Sequence, residues 1–301
     1  MRDVRFSNGA FCGIPRKENF SFASGTTYGC GGTARAAFFP RSEEEGTELY
    51  SALLKSGEKF CVLGCGSDVL AQDGFYDGYV LCTKNIKGIS LCGESGGDVA
   101  LNVACGVTVG ELLFFCKREG LSGLEFLAGI PATAGGLLFM NGGAGGKYIG
   151  QRVSSVRIFS DKRQELTAEE CNFTYKHSTM RDIKCFISGA KLLLKRENTQ
   201  IVLKKIQNYL SARKNLPRGR SCGCVFENYC GVSAGKIIEN AGLKGAREGR
   251  AYVSGRHANF IINEGRSSSD VYSLICRVKS EVYEKFGVTL KEEVNYIGDF
   301  E

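Results

Sequence analysis

The stretch GIPATAGGLLFMNGGAGG, residues 129–146, stands out in a chain of 301 residues that contains 40 glycines and only 4 prolines. A second glycine-rich stretch, GCGSDVL, occupies residues 64–70, directly after the short apolar run FCVL. Glycine reaches positive φ without a side-chain penalty, and its N–H can approach a ligand closely. Tight turns between short strands would explain either stretch alone, but two of them favour a site for a phosphate-bearing ligand.

Neither of the two best-known phosphate-binding loops fits these stretches. GCGSDVL supplies G-x-G, but Leu70 stands where the dinucleotide-binding fingerprint needs its third glycine. A Walker A loop ending at Gly146 and Lys147 would need glycine at Asn141 and serine or threonine at Tyr148. The sequence therefore predicts a phosphate site of another kind.

Composition and charge indicate a folded protein that binds a small anionic ligand. Hydrophobic residues make up 43% and charged residues 24% of the chain, which is ordinary for a globular protein. The net charge of +7 is spread along the chain without a long run of like charges, so we expect no nucleic-acid partner. The first 20 residues lack the apolar core of a signal peptide, and no apolar stretch is long enough to span a membrane. We therefore expect a cytoplasmic protein without membrane insertion.

The 14 cysteines do not follow a metal-binding pattern. No two of them are in C-x-x-C spacing, and the chain has only two histidines, at positions 177 and 257. We therefore expect no metal site. Thiols stay reduced in the cytoplasm, so most of these cysteines are expected to be small apolar core residues.

Helix and strand patterns are mixed along the chain, which predicts an α+β fold. Helices are expected over 43–56, from the capping box of Thr108 and Glu111 to Gly120, in the first part of 201–220, from Ser233 to Gly242, and from Ser267 to Gly287. Strands are expected at 60–63, around 99–103, and at 155–160, 185–194 and 259–263.

Seven segments follow one another in the order found in a known family. They are TTYGCGGTARAAFFP (26–40), VLGCGSDVLAQDGFYDGYVL (62–81), GLEFLAGIPATAGGLLFMNGGAGG (123–146), FTYKHS (173–178), CGCVFEN (222–228), AGKIIENAGLKGAREGRAYVSGRHANFIIN (234–263) and FGVTLKEEVNYIG (286–298). The chain thereby resembles the UDP-N-acetylenolpyruvoylglucosamine reductases of peptidoglycan synthesis (MurB), also called UDP-N-acetylmuramate dehydrogenases. It has no room after Lys195 for the tyrosine-bearing insertion of one subclass, so it is similar to the shorter subclass.

The resemblance implies both a fold and a cofactor. It predicts an N-terminal segment at 1–20, a PCMH-type FAD-binding domain of two α/β subdomains at 21–200, and a C-terminal α+β substrate-binding domain at 201–301. In this family the flavin diphosphate lies on glycine-rich loops, which agrees with the missing Rossmann fingerprint. FAD is the expected cofactor and NADPH the expected hydride donor.

Cofactor-binding positions can be carried over from the same resemblance. Those expected to line the FAD diphosphate are Gly64, Cys65, Gly66, Ser67 and Asp68, and those expected along the cofactor are Gly129, Ile130, Pro131, Thr133, Gly135, Gly136 and Asn141. Asp68 departs from the family, which usually has asparagine there. A carboxylate beside a diphosphate is repulsive.

The family's reaction reduces an enolpyruvyl ether. NADPH reduces FAD, the flavin N5 gives a hydride to the terminal vinyl carbon, and an acid protonates the carbon next to the carboxylate. Negative charge builds on that carboxylate, and the family meets it with an arginine, a serine and a glutamate. These positions are Lys176, Cys224 and Glu293 here. A thiol, with an ordinary pKa of about 8.5, is a chemically adequate proton donor.

Several assignments keep alternatives open. Lysine lacks the planar fork of a guanidinium, so Arg181 is an alternative to Lys176. Cys222 is the alternative to Cys224 as proton donor. The substrate implied by the resemblance is a UDP-linked enolpyruvyl sugar, and its expected contacts are Tyr175, Asn228 and Lys236, although each of these is also an ordinary surface residue type.

Two other functions also stay open. Another PCMH-type flavin oxidase or dehydrogenase would be expected to carry a histidine as covalent flavin anchor, yet no histidine precedes His177. A catalytically impaired paralogue that still binds FAD or a nucleotide is suggested by the departures from the family pattern, which are Asp68, Ala132, Lys176, Cys224 and Tyr229.

Overall fold

The computed structural model describes residues 13–300, and the chain forms two compact units. Unit 1 contains 13–18, Ala36–Gly64 and Gly78–Arg213, and unit 2 contains Asn19–Arg35, Cys65–Asp77 and 214–300. Each unit is thus assembled from several stretches of the chain. Residues 1–12 of the predicted N-terminal segment lie outside the described residues, and the domain boundary at 200 stays a prediction.

Strands and helices follow one another along both units. The strands are β1 Arg16–Ser21, β2 Thr33–Phe38, β3 Phe60–Leu63, β4 Val69–Ala71, β5 Phe75–Cys82, β6 Ile89–Ser95, β7 Asp98–Ala104, β8 Leu121–Ser122, β9 Gly143–Ala144, β10 Lys147–Tyr148, β11 Val153–Phe159, β12 Arg163–Thr167, β13 Phe186–Arg196, β14 Arg247–Glu248, β15 Ala251–Val253, β16 Ile261–Asn263 and β17 Asn295–Ile297. The helices are α1 Phe22–Gly25, α2 Glu43–Ser56, α3 Val109–Glu119, α4 Ala134–Met140, α5 Thr199–Ala212, α6 Ala234–Asn240 and α7 Ser268–Phe286.

Unit 1 is organised by an antiparallel sheet with the strand order β12-β11-β13-β7-β6. Strand β8 pairs with one end of β13. Alternate residues of β7, such as Val99, Leu101 and Val103, are buried, as the period of two in its sequence predicts. They join a hydrophobic core that also takes Leu49 and Leu53 from α2. A four-stranded sheet has the order β1-β2-β5-β3, in which β3 and β5 run parallel.

Unit 2 packs the long helix α7 against the small antiparallel sheet β14-β15-β16. Its apolar stripe contributes Val271, Leu274, Ile275, Val278 and Val282, each almost fully buried, which confirms the predicted helix face. Strand β17 pairs in parallel with β4, so the end of the chain and residues 69–71 belong to the same unit.

Capping residues and glycines at the helix ends explain why the predicted limits of three helices are correct. Helices α2, α3 and α7 begin after Ser42, Thr108 and Ser267, whose side chains accept hydrogen bonds from backbone N–H groups of the first turn. They end at glycines 57, 120 and 287, which adopt the left-handed conformation. The expected strands are also present, within one or two residues of their predicted limits.

Two local features differ from expectation. Ser233 precedes α6, but its side chain makes no capping hydrogen bond. The side-chain oxygen of Asn228 accepts from the N–H of Ala234 at 3.1 Å instead. The glycine-rich stretch 129–146 was expected to be loop, whereas residues 134–140 form α4. Its Leu137, Leu138 and Met140 are buried, so packing of its apolar face stabilises a helix despite the two glycines.

Asp73 supports the start of α7 from outside the helix. Its carboxylate accepts hydrogen bonds from the backbone N–H groups of Ser268 and Ser269 at 2.9 and 3.0 Å, and from the hydroxyls of Ser267 and Ser269. Partial burial acts to raise the pKa of Asp73, but these hydrogen bonds outweigh it and lower the pKa. The ionised carboxylate therefore contributes to the stability of unit 2.

Replacing Asp73 with alanine should lower the free energy of unfolding of α7 by about 1 kcal/mol at neutral pH, since a helix cap is lost from an exposed position. A depressed pKa contributes stability above the unfolded value of about 3.9 and loses it as the pH falls through the folded value. The difference should thus be constant from about pH 7 to 5 and shrink in more acidic solution. Hydrogen exchange of the α7 amides measures it. Asp77→Ala, which removes a surface ion pair with Arg35, is the control and should change little. An equal loss in both variants would contradict the assignment.

Within residues 13–300, no helix is both long and apolar enough to cross a membrane.

Candidate active site

Gly64, the first residue of one glycine-rich stretch, contacts the other stretch within unit 1. Strand β3 ends at Leu63, and a Cβ on the following Gly64 would lie only 2.4 Å from the hydroxyl oxygen of Thr133. Glycine is therefore required at this position. Thr133 in turn precedes α4 and accepts a hydrogen bond from the N–H of Gly136 at 3.4 Å. Gly64 and the start of α4, both predicted to contact the cofactor, are thus neighbours.

Gly135 is explained by packing inside unit 1. Its N–H donates to the carbonyl of Cys105 at 2.8 Å, and a Cβ on Gly135 would lie 3.0 Å from the Cβ of Cys105. The preceding Ala134 donates to the carbonyl of Val107, also at 2.8 Å. These hydrogen bonds hold the first turn of α4 against the end of β7.

Gly136 has no such explanation in the packing of unit 1. It is exposed, its φ lies outside the left-handed region, and an added Cβ would only make an ordinary contact of 3.6 Å with Thr133. Glycine inside a helix costs up to about 1 kcal/mol relative to alanine. A residue that neither the backbone nor the packing demands is expected where a ligand approaches the main chain closely. Gly136 therefore fits the edge of a cofactor cradle.

The start of the second glycine-rich stretch is exposed and strongly turned. Gly129 is exposed at φ 80°, and Pro131 is exposed as well. Ala132, which departs from the family's glycine, is 8% exposed, and its φ is not positive. Alanine therefore fits at 132 without backbone strain. With Ile130 half-buried between them, these residues could lie along a flat aromatic ligand.

In unit 2, the segment Cys65–Asp68 is held in a fixed conformation. Gly66 has φ 65°, and a Cβ there would lie 2.4 Å from the carbonyl oxygen of Gly25. Thr27 donates its N–H to the carbonyl of Gly66 at 3.0 Å and its hydroxyl to the carbonyl of Ser67 at 3.4 Å. At the end of the segment, the carbonyl of Asp68 accepts from the N–H of Asn295 at 2.8 Å. A rigid, partly exposed loop of this kind suits a diphosphate.

In unit 1, Tyr175 and Lys176 occupy the corner of a tight turn. Thr174 and His177 close it with two backbone hydrogen bonds of 3.1 and 3.2 Å. Lys176 has φ 57°, a left-handed conformation that costs a non-glycine residue about 1–2 kcal/mol. Tyr175 is 40% exposed and packs edge-on against Tyr148.

Asn141 and Arg181, two other residues of unit 1, form hydrogen bonds with the backbone of this turn. The side-chain amide of Asn141 donates to the carbonyl of Thr174 at 2.7 Å, and its oxygen accepts from the N–H of Gly150 at 3.0 Å. Arg181 donates from Nη1 to the carbonyl of Lys176 at 2.6 Å. Asn141 is buried at the end of α4, and its side-chain amide binds the turn. Its contact with the cofactor stays a prediction.

In unit 2, Cys224 and Glu293 belong to two short segments that pair with each other. Phe226 and Glu292 form an antiparallel bridge, and the N–H of Glu293 donates to the carbonyl of Val225 at 2.8 Å. Glu293 is only 6% exposed. Glu292 instead forms an ion pair of 2.7 Å with Lys279 on α7. Of the two adjacent glutamates, Glu293 is thus buried and Glu292 is half-buried.

Asn259 fixes the Cys224 segment, and this was not foreseen. Its side-chain oxygen accepts from the N–H of Phe226 at 2.9 Å, its amide donates to the carbonyl of the same residue at 2.8 Å, and its own carbonyl accepts from Val225. A buried asparagine that brackets one backbone residue in this way sets the strand's position. The only sequence signal was a polar residue inside the apolar run around 259–263.

The two candidate proton donors have different surroundings. The thiol of Cys222 is buried and lies 3.2 Å from the hydroxyl oxygen of Tyr28, to which it donates. Burial raises the pKa of Cys222, the bond with Tyr28 lowers it, and nearby Asp68, Cys224 and Glu293 raise it further. Cys224 is partly exposed. Cys224 is therefore the more accessible of the two thiols, and its role as the proton donor stays a prediction.

The predicted substrate contacts of unit 2 surround the start of α6. The side chain of Asn228 binds the first N–H of this helix, and Lys236 projects from its exposed face, 3.9 Å from Glu239. Tyr229, where the family prefers proline, donates its N–H to the carbonyl of Val232 at 3.0 Å, a hydrogen bond that proline cannot make. Within residues 13–300, no group of three or more His, Cys, Asp or Glu side chains could hold a metal ion.

Comparison with known proteins shows which class of protein has these features. Residues 34–162 match the FAD binding domain family, and residues 214–297 match the family described as UDP-N-acetylenolpyruvoylglucosamine reductase, C-terminal domain. With its PCMH-type fold, the chain is therefore a flavoprotein oxidoreductase that carries an FAD-binding domain. The predicted fold class is confirmed.

Individual relatives identify the family. The chain is 35% identical over 290 residues to the UDP-N-acetylenolpyruvoylglucosamine reductase of Carboxydothermus hydrogenoformans, with 95% of each chain covered. It is 33% identical over 283 residues to that of Caldicellulosiruptor saccharolyticus, covering 92% of this chain and 90% of the relative. The crystal structure of the enzyme (MurB) from Thermus caldophilus matches with a TM-score of 0.79 and 30% identity, over 95% of this chain and 99% of that one. The chain belongs to the UDP-N-acetylenolpyruvoylglucosamine reductase family.

Proposed function

We propose that this protein reduces UDP-N-acetylglucosamine enolpyruvate to UDP-N-acetylmuramate with NADPH and bound FAD. This reaction belongs to peptidoglycan synthesis, on which cell-wall biogenesis, cell shape and cell division depend. The observation that carries the proposal is the match to reductases of that name over nearly the full length of both chains.

The cofactor would be held by the exposed backbone of the two glycine-rich stretches. Gly64 and the segment Cys65–Asp68 would supply N–H and hydroxyl groups without bulky side chains. The exposed Gly136 would let the ligand approach the start of α4 closely, and Gly129–Pro131 would supply a flat surface. Bound FAD supplies the chemistry of passing a hydride from NADPH to the terminal vinyl carbon of the substrate. The chain's own residues orient the substrate and handle its proton and charge.

Cys224 would deliver the proton. The hydride from NADPH and one proton from the Cys224 thiol add across the carbon–carbon double bond, NADP⁺ leaves, and solvent returns a proton to the thiolate. The bond between the thiol sulfur and its hydrogen breaks as a carbon–hydrogen bond forms next to the carboxylate. Proton transfer by a positioned acid accelerates such a step by about 10²- to 10⁴-fold.

Lys176 and Glu293 would manage the charge at the carboxylate end of the substrate. The Lys176 ammonium would stabilise the negative charge that builds there during protonation. Glu293, buried in unit 2, would support the same end. Tyr175, Asn228 and Lys236 are proposed to contact the UDP-linked sugar.

The remaining assignments are part of the same proposal. The enzyme would act in the cytoplasm and bind no nucleic acid. Its FAD-binding domain would cover 21–200 and its substrate-binding domain 201–301. The alternative hypothesis, a catalytically impaired paralogue, is not favoured, because Ala132 and Tyr229 both fit their local backbone without strain.

A turnover assay tests the proposal. The purified protein should release FAD on denaturation. Without oxygen, it should oxidise more than one equivalent of NADPH per flavin only when the enolpyruvyl substrate is present. The product should be heavier than the substrate by two hydrogens. Purified protein without flavin, or continued NADPH consumption beyond one equivalent per flavin that does not depend on the substrate, would overturn the proposal. Glu293→Gln should lower turnover, whereas Glu292→Gln, which changes its half-buried neighbour paired with Lys279, should not.

A further inference from the structure

The turn at Thr174–His177 places a lysine where lysine is disfavoured. Among residues 13–300, five non-glycine residues have positive φ, and three of them are asparagines, which tolerate this conformation. Lys176, at φ 57°, has a long unbranched side chain, and its residue type adopts this conformation far less readily than asparagine. Because the direction of a Cα–Cβ bond follows the backbone angles, this left-handed conformation determines where the Lys176 side chain starts. Strain of this kind persists only where the surroundings enforce it.

Arg181 provides that enforcement. Its Nη1 donates to the carbonyl oxygen of Lys176 at 2.6 Å, a short hydrogen bond with a charged donor. The guanidinium carbon also lies 5.8 Å from the centre of the Phe139 ring. Arg181 is therefore directed at the main chain of the turn and at α4, the helix that carries Phe139.

The turn is fixed at its other end as well. Asn141 donates to the carbonyl of Thr174 at 2.7 Å, and the buried hydroxyl of Ser178 donates to the carbonyl of Phe139 at 2.8 Å. These bonds hold the residues on either side of Tyr175 and Lys176. The direction of the Lys176 carbonyl depends on the backbone angles of Lys176, and this is the carbonyl that Arg181 binds.

We infer that Arg181 is a positioning residue that holds Lys176 in its left-handed conformation and so directs the Lys176 cation at the substrate carboxylate. This inference rests on the proposed function. Arg181 acts through Lys176 and does not replace it as the cation. The lysine that stands in place of the family's arginine would thus depend on a second basic residue for its position.

The effect should be confined to one half of the catalytic cycle. Arg181→Gln should slow the oxidation of the reduced flavin by the enolpyruvyl substrate by about 10- to 100-fold, since one charged hydrogen bond is lost. Reduction of the flavin by NADPH should stay within about twofold, because Lys176 has no part in that step. Arg181→Lys, which keeps a charged donor, should recover most of the rate. Arg196→Gln is the matched control, since Arg196 also donates from Nη1 to a backbone carbonyl in unit 1, that of Glu119, at 3.0 Å.

A double-mutant cycle separates a positioning role from a direct one. If Arg181 acts through Lys176, then Arg181→Gln should change the rate by less than about twofold when Lys176 is already glutamine. Full additivity of the two changes would mean that Arg181 contacts the substrate itself and would overturn the inference. So would an Arg181→Gln rate equal to that of Arg196→Gln. If the unmodified protein fails to pass electrons to the substrate, the proposed function fails instead.

Discussion

Cys224→Ala should slow the transfer of electrons from the reduced flavin to the enolpyruvyl substrate by about 10²- to 10⁴-fold, the usual contribution of a positioned acid. Reduction of the flavin by NADPH should be unchanged, because no proton is delivered to the substrate in that step. Stopped-flow absorbance of the flavin, recorded separately for the two steps, measures both rates.

Two further variants make this result specific to the Cys224 thiol. Cys224→Ser supplies the hydroxyl that the family uses and should retain most of the activity. Cys230→Ala removes an exposed cysteine from the same unit and should have no effect. A normal rate of flavin oxidation in Cys224→Ala would show that the proton comes from elsewhere. Cys222 is poorly suited to replace it, since burial raises the pKa of its thiol and it already donates to Tyr28.

Gly136→Ala should weaken FAD binding by about 10- to 100-fold, because a methyl group placed in a close contact costs about 1–3 kcal/mol. The same change should stabilise the protein without FAD by up to about 1 kcal/mol, since alanine is the better helix former and an added Cβ meets no close atom of the chain. Opposite effects on ligand affinity and on stability are the signature of a glycine kept for a ligand. Fluorescence titration with FAD and thermal unfolding of the apoprotein measure the two.

Gly255→Ala provides the control for this experiment. Gly255 lies in unit 2, is exposed, has no positive φ, and an added Cβ would meet no atom within 4 Å. It should leave FAD affinity unchanged. Equal FAD affinity in Gly136→Ala and the unmodified protein would remove Gly136 from the cofactor site. Gly64→Ala is unsuitable as a probe, because its Cβ would collide with Thr133 and disturb the fold itself.

Features with local causes could be predicted from the sequence. The capping box of Thr108 and Glu111 is complete within four residues, and so is the cap that Ser267 forms with Asp270. Helices α3 and α7 were therefore placed correctly. At α6 the same reasoning was wrong, because the capping oxygen comes from Asn228, which precedes the helix by several residues and is placed by a turn. Ser233 stands directly before the helix, but the side chain of Asn228 accepts the capping hydrogen bond.

Features with distant causes could not be predicted in this way. Gly135 and Gly136 are neighbours of the same type, yet only contacts with Cys105, 30 residues earlier in the chain, show that one is required by packing and the other is not. The hydrogen bonds of Asn259 to Phe226 and the grip of Asn141 on Thr174 also join residues far apart in sequence. Family resemblance supplied the candidate residues, and tertiary contacts supplied the reasons for their positions.

The central claim is that this chain carries electrons from NADPH through FAD to a UDP-linked enolpyruvyl sugar. Anaerobic sequential mixing of the purified protein, first with NADPH and then with that substrate, tests it most directly. The visible flavin absorbance should disappear in the first step and return in the second, with one equivalent of UDP-N-acetylmuramate formed per flavin. Absorbance that stays bleached after the substrate is added would contradict the account.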